Sequence, residues 1–389
     1  MAALNSNVAI SGKRRFRLDY IDGMRGMSAL YVALYHAFGD SPPISKALHV
    51  LGWFLQFGHY AVGVFIVLSG YCLMCPVVQT PEFHIEGGIA RYASRRVRRI
   101  LPAYYVVLTL AIAAVAMVQT TYHPLPGEEA DVLRLSPGTV LSHILLLQNL
   151  QQSWARAFDP PMWSVAAECQ IYVLFPLVLL PIWRRFGSTG AITVAFALGL
   201  MPHFLLRPEF NFDWTFPWYL GLFCLGMAAA AITHGSRDID IQLRREREWK
   251  WIALVSFAIF ATVAGISPDM AISKMWVPDT LLGLAMTALL IWLGSGNVRS
   301  ALTDSKQTAR STLVKVLSSA PARTLGSCSY SLYLLHAPVL WALACLLAKT
   351  GWSDERCILI RLMVGVPAAV GVAFLSYLGI ERPFLGARS

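Results

Sequence analysis

Apolar residues along the chain come in long runs separated by short polar and basic connections. A helix needs about 20 predominantly apolar residues to cross a bilayer. Runs of that kind lie near 21–39, 51–74, 100–119, 161–182, 189–206, 215–233, 250–266, 279–294, 326–348 and 357–380. The pattern predicts an all-α integral membrane protein, a bundle of about ten transmembrane helices. The longest connection, residues 120–160, holds one more apolar stretch, TVLSHILLLQNL, which is too short to cross. It reads as a re-entrant or interfacial helix placed to cap an outward-facing cavity. No internal repeat emerges, which argues against a transporter built from duplicated halves.

Composition agrees with the pattern. Of the 389 residues, 56% are hydrophobic and 14% charged, with a mean hydropathy of +0.55, whereas a soluble domain carries about 25% charge. No Pro/Ser/Gly-rich linker sets a soluble module apart, so residues 1–389 read as a single transmembrane domain with short tails at about 1–18 and 381–389. The basic cluster Lys13, Arg14, Arg15 and Arg17 leads straight into the first apolar run, and that run is expected to stay rather than be cleaved as a leader.

The net charge of +10 does not point to nucleic acid, because the cations are spread among the connections instead of gathered on one soluble face. If the spans alternate, 23 of the 32 Lys and Arg residues fall on the side of the termini and seven on the opposite side, with Arg25 and Arg361 inside spans. The positive-inside rule then places both termini in the cytoplasm. The seven cysteines lie in or beside apolar segments and imply no disulfide framework. Cys72 and Cys75 have CxxC spacing without a second ligand pair nearby, so no metal is expected.

Ionisable residues inside lipid are costly and are the first functional candidates. The first span, YIDGMRGMSALYVALYHAFG, contains Asp22, Arg25 and His36. Eleven residues at about 100° each bring Arg25 and His36 onto one helix face, about 16 Å apart along the axis. A guanidinium near the cytoplasmic end can hold a phosphate, while an imidazole deeper in can act as a general base near neutral pH. The alternative is a satisfied interior histidine and an arginine paired with Asp22 one turn away.

The segment RYASRRVRRILPAYY carries Arg95, Arg96, Arg98 and Arg99 as two RxxR pairs. Such a cluster suits the phosphates of a nucleotide-bearing donor, although anionic lipid and topology use the same residues. Glu168 lies about two turns into the fourth span and must be neutral, paired or facing water. It could orient a histidine or an acceptor hydroxyl, or hold another helix. Asp22 is a candidate substrate contact, and so are Tyr71, Trp163 and His336: Tyr71 follows the small pair Ser69–Gly70, Trp163 opens span four, and His336 sits mid-membrane before Pro338. For each of the last three, helix packing or an interfacial aromatic belt is the competing role.

In this order, LDYIDGMRGMSALYVALYHAF, GVFIVLSGYCL, ARYASRRVRRILPAYY, WSVAAECQIYVLFPL, SYSLYLLHAPV and the terminal ERP resemble the acyltransferase-3 family over about Leu18 to Pro383. That resemblance implies a bacterial inner-membrane O-acyltransferase moving an acyl group, commonly acetyl, from cytoplasmic acyl-CoA to a hydroxyl of a surface or exported carbohydrate or small molecule. It implies no permanently bound cofactor, acyl-CoA being a co-substrate, and it makes polysaccharide-assembly proteins candidate partners. On the resemblance His36 matches the essential histidine, Arg25 the arginine of the same motif, Arg95 to Arg99 the RxxR element and Glu168 the acidic position of the WS element. The chain departs from the pattern in reading AAEC, which leaves Glu168 without a neighbouring carboxylate. It ends at ERPFLGARS, so no C-terminal esterase-like domain is expected in it. Direct transfer with His36 as base and an acyl-histidine intermediate both remain open. The rival reading is a transporter or flippase for a polysaccharide or lipid-linked precursor, using His36, Arg25, Glu168 and His336 as a proton or substrate path.

Overall fold

The structure, a computed structural model, describes residues 18–39, 45–121, 135–207, 210–266, 274–300 and 309–386. The basic cluster at residues 13–17, residues 122–134 of the long connection, and Lys306 and Arg388 lie outside the described residues. Among the described residues there are helices and loops and no strand.

The helices that position the site are α1 (Asp19–Phe38), α2 (Lys46–Leu55), α3 (Gly58–Val77), α4 (Gly88–Thr121), α5 (Pro137–Ile144), α6 (Met162–Leu174), α7 (Leu180–Leu205), α8 (Tyr219–His234), α9 (Trp249–Ile266), α10 (Trp276–Ser300), α11 (Ala309–Leu317), α12 (Ala320–Ser327), α13 (Ser329–Leu347) and α14 (Asp354–Phe384). Among the described residues seven helical segments are long and apolar enough to cross a membrane, or eight if the bent pair Asp238–Arg245 and Trp249–Gly265 is one span. The difference from ten expected spans has three sources. Asp22 and Arg25 sit in α1, which is not among the seven. α6 and α7 form one 44-residue segment, broken at Gly187 where φ is 70° and ψ −168°. α9 qualifies only as part of the bent pair.

The centre of the bundle is α8, whose residues are buried on nearly every side. It packs along α3 because two glycines let the backbones touch: a Cβ on Gly70 would meet the Phe223 carbonyl oxygen at 2.0 Å, and one on Gly226 the Val67 carbonyl oxygen at 2.0 Å. Close approach through small residues is how helices gain dispersion energy where lipid removes the hydrophobic drive. α1 is held in the same way. A Cβ on Gly26 would meet the Gly326 amide nitrogen at 2.5 Å, and one on Gly326 the Asp22 carbonyl oxygen at 2.1 Å.

Polar contacts at the two ends give the helix directions. Tyr20 at the start of α1 lies 3.3 Å from the hydroxyl of Tyr71 near the end of α3, and Tyr71 lies 2.8 Å from Nε2 of His234 at the end of α8. At the other end, His59, Trp218 and Asp279 gather the starts of α3, α8 and α10. So α3, α8 and α10 run together and α1 runs against them.

The apolar stretch at 139–150 is two short pieces, α5 and a 3₁₀ turn at Gln148–Leu150, separated by Leu146 at φ 56°. Tyr104 and Tyr105 of α4 donate to the terminal carbonyls of His143 and Ile144 at 2.9 and 2.8 Å, satisfying acceptors that the helix end leaves open.

Gly226→Leu should cost about 3 kcal/mol or more by overpacking the α3–α8 seam, read as lost monodisperse protein and a lower melting temperature in detergent. Gly371→Leu, at a position with nothing within 4 Å, should be tolerated. Equal stability of the two variants would refute backbone contact as the seam's basis.

Candidate active site

A cavity lies between α1, α3, α4, α6 and α13. Its wall carries two guanidiniums, Arg25 and Arg99, and one carboxylate, Glu168. Ser69 donates to Glu168 Oε1 at 2.8 Å, Tyr172 donates to the same oxygen, and the Tyr172 hydroxyl lies 3.1 Å from Ser69 Oγ. Glu168 is thereby fixed on the cavity wall by α3 and by its own helix. Arg25 and Arg99 sit within electrostatic range of one another, with Asp22 near Arg25 and Glu381 near Arg99. Glu381 accepts from the Ser331 amide at 3.0 Å and from the Ser331 hydroxyl, which ties the C-terminal ERP to the first turn of α13. A wall with two fixed cations is suited to an anionic, phosphate-bearing ligand.

The structure separates the arginine cluster. Arg99 lines the cavity beside Arg25. Arg96 lies over the Tyr172 ring at 5.8 Å and borders an apolar groove on the outside of α4 and α6. Arg95 and Arg98 are exposed. One helix cannot present four arginines, at i, i+1, i+3 and i+4, to a single cavity, because they span too wide an arc at about 100° per residue.

Histidine 36 and histidine 336 meet. His336 Nε2 lies 3.2 Å from His36 Nδ1, with ring centroids 5.0 Å apart at 48°. His336 is fully buried and its Nδ1 lies 3.1 Å from the Leu332 carbonyl, so Nδ1 is the donor and Nε2 the acceptor. His36 Nδ1 lies 3.0 Å from the Val32 carbonyl as well, so it carries the proton and faces two acceptors. This assigns the lone pair of the neutral His36 ring to Nε2.

The two centres are joined by Tyr333. It lines the arginine cavity, accepts or donates a 2.7 Å hydrogen bond with Ser164 Oγ, and stands 5.9 Å from the His336 ring one turn along α13. Of the other sequence candidates, Glu168 is in the cavity. Tyr71 is buried at the opposite end with Tyr20 and His234. Trp163 packs against Phe216 at 4.9 Å, near His59 at the start of α3.

Sequence reasoning singled out neither Tyr333 nor Asp279. Tyr333 stands three residues before His336, a same-face spacing that marks it as a neighbour. Asp279 opens an apolar run, and the rule that intramembrane carboxylates carry function applies to it as much as to Glu168.

Asp159, in the loop before α6, is fully enclosed and neither carboxyl oxygen has a hydrogen-bond partner in the structure. Burial holds its carboxyl well above the ordinary carboxylate range. The folded protein therefore binds this proton more tightly than the unfolded chain, and stability falls as pH rises from the unfolded value near 4. Asp159→Asn should raise the melting temperature at about pH 7.5 by about 2 °C, with the gain shrinking toward pH 4. A gain independent of pH, or none, by differential scanning fluorimetry would rule out this assignment.

A family model described as an acyltransferase domain, Acyl_transf_3, matches residues 18–380. Among curated relatives, the O-acetyltransferase OatA of Staphylococcus aureus strain NCTC 8325 is 24% identical over 335 residues, covering 83% of this chain and 50% of the relative. The peptidoglycan O-acetyltransferase OatA of Listeria monocytogenes is 23% identical over 390 residues, covering 93% of this chain and 55% of the relative. A putative peptidoglycan O-acetyltransferase of Bacillus subtilis, YrhL, is 24% identical over 169 residues, covering 41% and 23%. The chain thus spans about half the length of the first relatives it matches. No solved structure matches. With its apolar helices and a family match running from the first described residue to the end of the bundle, this chain is a multi-pass membrane protein of the acyltransferase-3 family.

Proposed function

We propose that this protein is an O-acyltransferase that moves an acyl group, acetyl in the simplest form, from cytoplasmic acyl-CoA to a carbohydrate hydroxyl on the outer side of the bacterial inner membrane. The observation that carries the reading is the arginine cavity joined through Tyr333 to the His36–His336 pair. The names of the relatives, peptidoglycan O-acetyltransferases among them, support acetyl as the group and a glycan as the acceptor. In this reading the distribution of Lys and Arg keeps both termini in the cytoplasm, which puts the arginine end of α1 on the donor side.

In this mechanism Arg25 and Arg99 hold the phosphates of the donor, and its extended arm reaches along the face of α1, about 16 Å from Arg25 to His36. His36 Nε2 takes the proton of the acceptor hydroxyl as the oxygen attacks the thioester carbonyl. The carbon–sulfur bond breaks, the ester remains on the acceptor, and the His36 proton passes to the departing thiolate. His336 keeps the lone pair of His36 on Nε2 by accepting from Nδ1–H. It is a positioning residue. Glu168, held by Ser69 and Tyr172, balances part of the cavity's charge and is placed to steer the donor. Polysaccharide-assembly proteins are the partners such an enzyme would serve.

With purified protein in nanodiscs and labelled acetyl-CoA, His36→Ala should lower kcat by about 10²-fold or more. Arg99→Gln should raise KM for acetyl-CoA about tenfold, the loss expected of one charge-assisted contact. Unchanged acceptor acylation in His36→Ala would sink the base assignment, and a transporter would leave no ester on any acceptor. Label retained on the protein in a single turnover without acceptor would replace direct transfer by an acyl-histidine.

A further inference from the structure

At the end of the bundle opposite Tyr20 and Arg25, a second polar centre lies where α3, α8 and α10 begin. Asp279 of α10 is completely buried. Its Oδ2 accepts from Trp218 Nε1–H at 2.8 Å, and both of its oxygens face His59 Nε2, at 3.1 and 3.2 Å. A nitrogen held between two carboxylate oxygens carries the proton, so the lone pair of the neutral His59 ring is on Nδ1. The Tyr219 hydroxyl stands 3.4 Å from the same Nε2. The His59 side chain keeps 20% of its surface accessible, so this edge of the centre is open.

An aromatic wall adjoins it. Phe216 lies 4.5 Å from the His59 ring, stacks on Tyr219 at 22°, and meets Trp163 at 4.9 Å. Phe216 and Trp163 are half-buried. Phe216 is also held at φ 51° and ψ 57°, and Phe212 at φ 58°, on either side of the turn Asp213–Thr215. Non-glycine residues in the left-handed region are strained and cluster where function needs a side chain aimed. A core aromatic could be buried without that strain. The Tyr219 phenol is within electrostatic range of Tyr333, which lines the arginine cavity.

We propose that His59, Asp279 and Tyr219, walled by Phe216 and Trp163, form the binding site for a sugar unit of the acceptor. Aromatic faces carry negative quadrupole charge and attract the C–H face of a pyranose. His59 Nδ1 accepts one sugar hydroxyl, and Asp279 fixes the orientation of the imidazole that does so. This deepens the acyltransferase reading and rests on it for the carbohydrate acceptor, but binding can be measured without donor or turnover.

The full-length protein in nanodiscs is titrated with N-acetylchitotetraose and with maltotetraose by calorimetry, without acyl-CoA. At least one should bind, Phe216→Ala and Asp279→Asn should each weaken that binding tenfold or more, and Phe216→Trp should stay within threefold of the parent. Phe216 is half-buried, so its alanine variant reports even where the variant at buried Asp279 does not fold. No binding of either oligosaccharide, or binding unaltered in Phe216→Ala, overturns the site. Binding that behaves as expected in a protein that transfers no acetyl group supports the site and rejects the transferase reading.

Discussion

A guanidinium keeps its charge at any physiological pH, so an arginine inside an apolar bundle has to face water, a carboxylate or a charged ligand. Arg25 and Arg99 come from different helices and meet that requirement in one cavity. Much of the surrounding structure follows from it. α1 is too polar to count as a membrane span by composition and is kept in the bundle by backbone contact with α12 through Gly26 and Gly326. Ser69, Tyr172 and Glu168 form the polar wall opposite the cations, and Glu381 near Arg99 is anchored to the start of α13. The same C-terminal contact that neutralises part of Arg99's field thus fixes the helix that carries His336.

Two centres three helical turns apart on α1 need a rigid element between them, and α1 with α13 supplies it. His36 and His336 meet because these helices run side by side, with Gly26 of α1 against Gly326 of α12, just before α13 begins, and the histidine pair further along. Tyr333 touches both centres, so the space between a phosphate-binding end and a basic end is lined by one continuous helix. At the opposite end the starts of α3, α8 and α10 bring together the hydrogen-bonded His59–Asp279 pair and an aromatic wall, with Tyr219 within electrostatic range of Tyr333.

Much was legible in the sequence because the bilayer imposes one-dimensional rules. Run length and charge content predicted a helical membrane bundle, and the spacing of Arg25 and His36 predicted one shared face on one helix. The motifs in their order pointed to the acyltransferase-3 family, to which the chain belongs. These inferences concern local periodicity and composition, which neighbouring helices do not alter.

Only the tertiary structure decided which residues from different helices share a space. Four arginines in one basic run look equivalent in sequence, yet Arg99 lines the cavity, Arg96 lies over Tyr172, and Arg95 and Arg98 are exposed. The partner of His36 lies 300 residues away in His336, and that of His59 lies 220 residues away in Asp279. No local pattern encodes such pairs, because they depend on the packing of glycine seams that let one helix approach another. The sequence by itself determined what each helix is, and the packing of helix against helix determined what each charged side chain faces.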